Sequence, residues 1–213
     1  MRKILLAAIA LAFAASVFFA LYIKSTFTSF PSVAGMNEST YIMSEGFQQF
    51  FDTEERTLDE LLELSDAVVI AKRMDEGEWV GRSIRTHLKV IKNIKGTLET
   101  GVTYYEPVEL VPGYLFGVRG YLPMVEGREY LLFLQQVDDP SRSIEYYPLC
   151  ADIGKIERGK HAELREYREY SYGEVKDDAV LMYDEEGFLL KPKERVETYN
   201  KIVDESDKRG LWE

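Results

Sequence analysis

Three stretches decide the fold: Ser65-Asp-Ala-Val-Val-Ile-Ala-Lys-Arg73, His87-Leu-Lys-Val-Ile-Lys-Asn-Ile-Lys-Gly96 and Glu126-Gly-Arg-Glu-Tyr-Leu-Leu-Phe-Leu-Gln135. Ala67 to Ala71 is short, rich in β-branched residues and wholly apolar, the pattern of a strand covered on both faces. Around the second stretch the chain alternates. Ile84, Thr86, Leu88 and Val90 fall on one face and Arg85, His87 and Lys89 on the other, which is a half-buried strand with a basic outer side. The alternation loses phase near Ile91, which predicts a bulge or bend. Lys95-Gly96 then closes the strand in a turn. Arg128 to Leu134 is a third apolar strand, and the three read together as core strands of one small β-barrel.

Outward from this centre, Thr57-Leu-Asp-Glu60 is a capping-box pattern, and Leu58, Leu61 and Leu62 continue it at helical spacing, so a short helix is expected over 57–65. The acids around it (Glu54, Glu55, Asp59, Glu60, Glu63) read as a solvated helix face suited to the positive helix start. Val102 to Glu106 is a further strand. Pro107 to Gly127 carries Pro107, Pro112, Gly113, Gly117, Gly120, Pro123 and Gly127 among large apolar residues. It reads as a long apolar loop that either folds back over an open barrel end or presents a binding surface. Ser143 to Ile156 reads as two short strands paired across Asp152-Ile-Gly. Leu164, Tyr167 and Tyr170 suggest a helical face within 161–172. Residues 179–191 look like a hairpin, able to pair with a partner strand. A short helix is expected over Glu194–Asp204, with Val196, Tyr199, Ile202 and Val203 apolar.

Met1-Arg-Lys precedes Ile4 to Ile23, an uncharged run long enough for a bilayer core, with Lys24 after it. Arg2 and Lys3 place the start in the cytoplasm and the remainder outside. Residues 1–24 are therefore expected to be a signal anchor, a single-pass transmembrane helix with the C-terminal domain extracytoplasmic. The competing reading, a signal peptide cut to release a secreted protein, is disfavoured by the apolar Val17 to Ile23 that follows the small-residue site Ala12-Phe13-Ala14. Residues 25–54 read as a tether, 55–158 as the barrel and 159–213 as a C-terminal α+β extension.

The pattern of a Ser-Asp-Ala-Val-Val start, a strand ending Val-Ile-Lys-Asn-Ile-Lys-Gly and a Gly-Arg-Glu-Tyr-Leu-Leu-Phe-Leu strand resembles the netrin-like (tissue-inhibitor-of-metalloproteinase-like) class of OB-fold domains, in the form found in small exported bacterial proteins. The resemblance covers about residues 57–156. It implies a mainly β fold, an OB-like five-stranded barrel with flanking short helices. Protease inhibition in that class relies on an N-terminal cysteine and on disulfides. This chain has one cysteine, Cys150, so that route does not carry over.

The formal net charge of -11 argues against a nucleic-acid partner. The charge is uneven: Glu45 to Val80 holds 11 acidic and 3 basic residues, whereas Gly81 to Leu98 holds 5 basic and none acidic. No metal-ligand spacing, nucleophile elbow or phosphate loop occurs, so no metal, no cofactor and no catalytic residue is expected. Cys150, in an apolar setting, reads as a buried inert thiol. His87 and His161 read as surface residues. The expected function is a membrane-anchored, extracytoplasmic, non-catalytic binding module of the cell envelope. Arg82, Arg85, Lys89 and Lys92 suit an anionic envelope polymer; Tyr114, Phe116 and Tyr121 suit an envelope protein. The alternatives are an inhibitor or regulator of an extracytoplasmic protease, inserting residues 112–121 into its target, and a carboxylate-dependent hydrolase.

Overall fold

The computed structural model describes residues 16–18, 33–44, 54, 56–81, 83–111, 113–139, 145–164, 170–178, 181–182 and 192–213. After a 3-10 helix at Val33–Glu38 the strands are β1 (Thr40–Ser44), β2 (Ala67–Arg73), β3 (Glu78–Val80), β4 (Ser83–Lys95), β5 (Gly101–Glu106), β6 (Val108–Val111), β7 (Tyr114–Val118), β8 (Glu129–Gln136), β9 (Glu145–Pro148), β10 (Lys155–Glu157), β11 (Glu163–Leu164), β12 (Tyr170–Ser171) and β13 (Leu181–Met182). The helices are α1 (Leu58–Leu64), α2 (Tyr172–Val175) and α3 (Pro192–Lys208).

Five strands close a barrel in the order β2-β4-β5-β9-β8 and back to β2. The β5–β9 pair is parallel and the others are antiparallel. The strand that makes closure possible is β4. Its first half, Ile84–Lys89, pairs with β5, and its second half, Leu88–Lys95, pairs with β2. Between β2 and β4 the register skips Ile91 and Ile94. Each skipped residue bulges the strand and turns it, so β4 wraps from one wall of the barrel to the next. The phase break expected at Ile91 is one of these two bulges.

The two faces of β2 explain its unbroken apolar run. Val69 and Ala71 point into the barrel with Ile84, Leu88, Val102, Tyr104, Leu132 and Leu134. Val68 and Ile70 point outward, where they meet Leu131 and Phe133 of β8, Leu58 and Leu61 of α1, and Tyr199, Ile202 and Val203 of α3. The C-terminal helix thus closes a second core against the barrel wall. Helix α1 starts as its capping box dictates: Thr57 Oγ1 accepts from Glu60 N at 3.3 Å and Thr57 N donates to Glu60 Oε2 at 2.7 Å.

Several expectations change. The stretch 107–127 is not one loop. It contains β6 and β7, an antiparallel hairpin in a four-stranded sheet of order β12-β1-β7-β6. Its remainder folds back over the barrel, with Tyr121, Leu122 and Met124 in the barrel core. The stretch read as a tether contributes β1, which runs parallel to β7. Strands β9 and β10 both pair with β8 rather than with each other. Glu163–Leu164 and Tyr170–Ser171 are short strands where a helical face was expected; residues 165–169 lie outside the described residues. Of the hairpin expected at 179–191, only β13 is described, and it pairs parallel with β11. Residues 4–23 lie outside the described residues apart from Ser16–Phe18, and among the described residues no helix is long and apolar enough to cross a membrane.

Candidate functional site

The outer face of β4 and β5 is set by their register. Arg85 stands opposite Tyr105, His87 opposite Thr103 and Lys89 opposite Gly101, all on the side facing away from the core. Arg85 forms an ion pair with Glu78 of the adjoining β3. His87 Nδ1 lies 2.6 Å from Asp75 Oδ2; partial burial pushes the Asp75 carboxyl up, but the bonds from His87 and from the Gly77 amide together hold it below its ordinary range. Tyr105 Oη donates to Glu145 Oε2 at 2.9 Å, across to β9. Lys89 is exposed and makes no ion pair among the described residues. The result is a mixed face: Arg85 and His87 are each set beside a carboxylate, and Lys89 is not.

Of the basic stripe expected from the sequence, the described members do not all share one face. Arg82 lies outside the described residues. Arg85 and Lys89 share the face just described. Lys92, beyond the first bulge, donates instead to the Leu211 carbonyl at 3.1 Å, behind the C-terminal helix. Tyr114 and Phe116 sit together on β7 with ring centroids 6.3 Å apart, Tyr114 being 46% exposed. Tyr121 is a correction: it is 3% exposed and belongs to the interior, because burying its ring and bonding its hydroxyl inside the barrel leave nothing for a partner.

What Tyr121 joins is a buried polar cluster at one end of the barrel. Segment 121–125 has no ladder of its own, and side chains from six elements bond its backbone, Tyr41 Oη of β1 donating to the Tyr121 carbonyl at 3.2 Å. Glu106 Oε2, at the end of β5, accepts from Met124 N at 2.6 Å and from Tyr121 Oη at 3.1 Å. Arg73 of β2 donates to the Met124 carbonyl and lies 3.3 Å from Glu106 Oε1. Lys155 of β10 donates to the Leu122 carbonyl, its ammonium 4.2 Å from the Tyr121 ring centroid. Tyr130 of β8 accepts from Val125 N at 2.9 Å, and Tyr172 of α2 donates to the Pro123 carbonyl at 3.3 Å. Arg73, Glu106 and Lys155 are all buried, so each charge depends on the others.

Burial dominates the titration of this cluster. It pushes the Glu106 carboxyl up, against the pull of Arg73 and Lys155. It pushes the Tyr121 hydroxyl up as well, and nearby Glu106 adds to the effect. It pushes the Lys155 amine down to about 8, with Glu106 opposing. From about pH 8 to pH 10 the unfolded chain consequently holds more protons at Lys155 than the folded chain does, so this group's contribution to stability rises with pH across that window. The thermal midpoint of the wild type minus that of Lys155→Met, measured across this window, should rise with pH; a difference that stays flat or falls contradicts it.

A second buried cluster ties the layers together at Asp152, whose Oδ2 lies 3.5 Å from Arg119 Nε and 3.3 Å from Arg195 Nη1. Sequence reasoning missed both clusters, since their members are far apart in the chain and each resembles an ordinary surface charge. Cys150 is fully buried, as its setting implied. Among the described residues no group of His, Cys, Asp or Glu is placed to hold a metal.

Both clusters are buried, whereas the β4–β5 face and the outer side of β7 present exposed side chains. Comparison with known proteins gives a partial likeness. The chain is 33% identical over 85 residues to cell division protein SepF of Bifidobacterium longum strain DJO10A, which is 38% of this chain and 52% of that protein. The likeness to cell division protein SepF of Bifidobacterium adolescentis is 37% over 67 residues, 32% of this chain and 41% of that protein. No family model matches and no solved structure matches. The chain spans about half the length of the curated relatives it matches, and its likeness to them covers little more than a third of its own.

Proposed function

We propose that the chain is a non-catalytic binding module held at the cell envelope by residues 4–23, and that it engages an envelope protein through the outer face of β4 and β5. The closed order β2-β4-β5-β9-β8, with its single parallel pair, supports an OB-like barrel. In OB folds the face on the second and third barrel strands, here β4 and β5, is a recurrent binding surface.

The observation that carries the reading is the composition of that face. Arg85 and His87 are each set beside a carboxylate, Tyr105 is anchored on Glu145, and Lys89 alone projects without a partner carboxylate among the described residues. A face of paired charges around a fixed aromatic ring suits a protein surface of complementary pattern. It offers an anionic polymer little net attraction, since three carboxylates stand among its cations. The similarity to cell division proteins makes division-associated envelope proteins the first partners to look for.

The test is a crosslinked pull-down of the full chain from intact membranes, read by mass spectrometry, with wild type beside the Lys89→Glu, Tyr105→Ala double variant. One dominant protein that is recovered with wild type and lost with the variant is the expected result. Equal recovery from both, or recovery of cell-wall polymer alone, contradicts it.

A further inference from the structure

The β6–β7 hairpin is an exposed feature that the binding face does not use. From Leu110 to Val118 the sequence is Leu-Val-Pro-Gly-Tyr-Leu-Phe-Gly-Val, nine residues without a charge. Alternation along β7 buries Leu115 and leaves Tyr114 and Phe116 on the other side. Pairing adds to that side: Val111 stands opposite Tyr114, Glu109 opposite Phe116, and Ile42 and Thr40 of β1 stand opposite Phe116 and Tyr114. Val111, Ile42 and Phe116 are half-buried and Tyr114 is 46% exposed. The first charge after the run, Arg119, is turned inward to Asp152.

The position of this patch follows from the topology. Tyr114 lies beside Thr40, the first residue of β1, and the Thr40 amide donates to the Gly113 carbonyl at 2.9 Å. The hairpin tip is thus at the end of the sheet where the chain arrives from its N-terminal side. Residues 24–32, nine in all, separate the apolar run ending at Ile23 from the 3-10 helix beginning at Val33. Fully extended, they reach roughly 30 Å.

We infer that the turn end of β7 rests in the headgroup region of the membrane that holds residues 4–23, with Tyr114 and Phe116 as its interfacial contacts. This rests on the anchored reading proposed above. Tyrosine suits that depth because its ring is apolar and its hydroxyl stays hydrated, and the turn end of the hairpin carries no charge, while Glu109, opposite Phe116, stays at the hydrated side of the contact. A short tether keeps the tip at high local concentration next to the bilayer, so a contact too weak to hold a free protein suffices here. The same contact would orient the barrel relative to the membrane surface.

Cys150 is fully buried, so a cysteine introduced at the surface takes a thiol-reactive fluorophore selectively. The full-length chain, with the label at Tyr114→Cys or, as control, at Lys89→Cys, is reconstituted into vesicles of phosphatidylethanolamine and phosphatidylglycerol, with and without a nitroxide-headgroup lipid. The inference expects the label at 114 to be quenched several-fold more than the label at 89. Chain retained on the vesicles with equal quenching at both sites overturns the inference and leaves the anchor intact. Chain that leaves the vesicles overturns both. Adding Phe116→Asp to the 114-labelled chain should lower its quenching towards that of the control without releasing it.

Discussion

Replacing Glu106 with alanine should lower the free energy of unfolding by about 3–5 kcal/mol, the range for removing one partner of a buried ionic cluster. Three losses combine. Arg73 and Lys155 remain buried with no carboxylate between them, and the Met124 amide loses its acceptor. The segment over the barrel end, which depends on side chains for its backbone hydrogen bonds, is then held by fewer of them. Urea unfolding of wild type and variant measures the difference. Glu106→Gln separates the contributions, since it keeps an acceptor for Met124 and removes the charge. It should recover only a minor part of the loss. Because domains have only about 5–15 kcal/mol in hand, the alanine variant is expected to be visibly less folded at physiological temperature. A change below about 1 kcal/mol would mean the cluster is no more than a set of ordinary net hydrogen bonds.

The second large effect is expected at Gly117. A Cβ there would sit 2.2 Å from the Tyr121 carbonyl oxygen and 2.3 Å from Tyr41 Oη. Neither neighbour can yield easily. Tyr41 Oη donates to that same carbonyl at 3.2 Å, and both tyrosines are buried. Gly117→Ala therefore forces β7 away from segment 121–125 and from β1 together, at a cost of about 3 kcal/mol, the upper end for overpacking a core. Gly113→Ala is the comparison. It has open space around it but a φ of +83°, so it carries only the left-handed backbone cost of about 1–2 kcal/mol. Equal effects at the two positions would contradict the close approach at Gly117.

The parts of the fold that were legible in the sequence are those decided by neighbours in the chain. The capping box at Thr57 and Glu60, the doubly covered run at Ala67–Ala71 and the alternation of Ile84 to Val90 are local patterns with local causes. Even the bulge at Ile91 was visible, because an inserted residue shifts the phase of everything after it. Strand β7 was not legible. Its glycines and the prolines around it are ordinary marks of a loop, and it is a strand because β1, some 70 residues earlier in the chain, lies beside it. Gly117 in particular read as a turn residue, whereas its role is to let two backbones approach.

The candidate site divides the same way. The positions of Arg85 and Lys89 on one outer face followed from a period of two. That Arg85 would meet Glu78, His87 meet Asp75 and Lys92 meet the Leu211 carbonyl did not, since those contacts depend on a turn and on a helix far along the chain. Tyr121 was assigned to a surface because its loop was apolar. Its partner Glu106 was one acid among 37, with nothing local to mark it as buried.

The central claim is that the β4–β5 face is where a partner docks. A photo-activated crosslinker at position 89, in full-length protein in its native membrane, tests it most directly, with an identical group at Lys208 at the end of α3 as the control. One discrete adduct with an envelope protein is expected from position 89 and none from position 208. Adducts of equal yield from both positions, or none from position 89 in membranes that retain the protein, would contradict it.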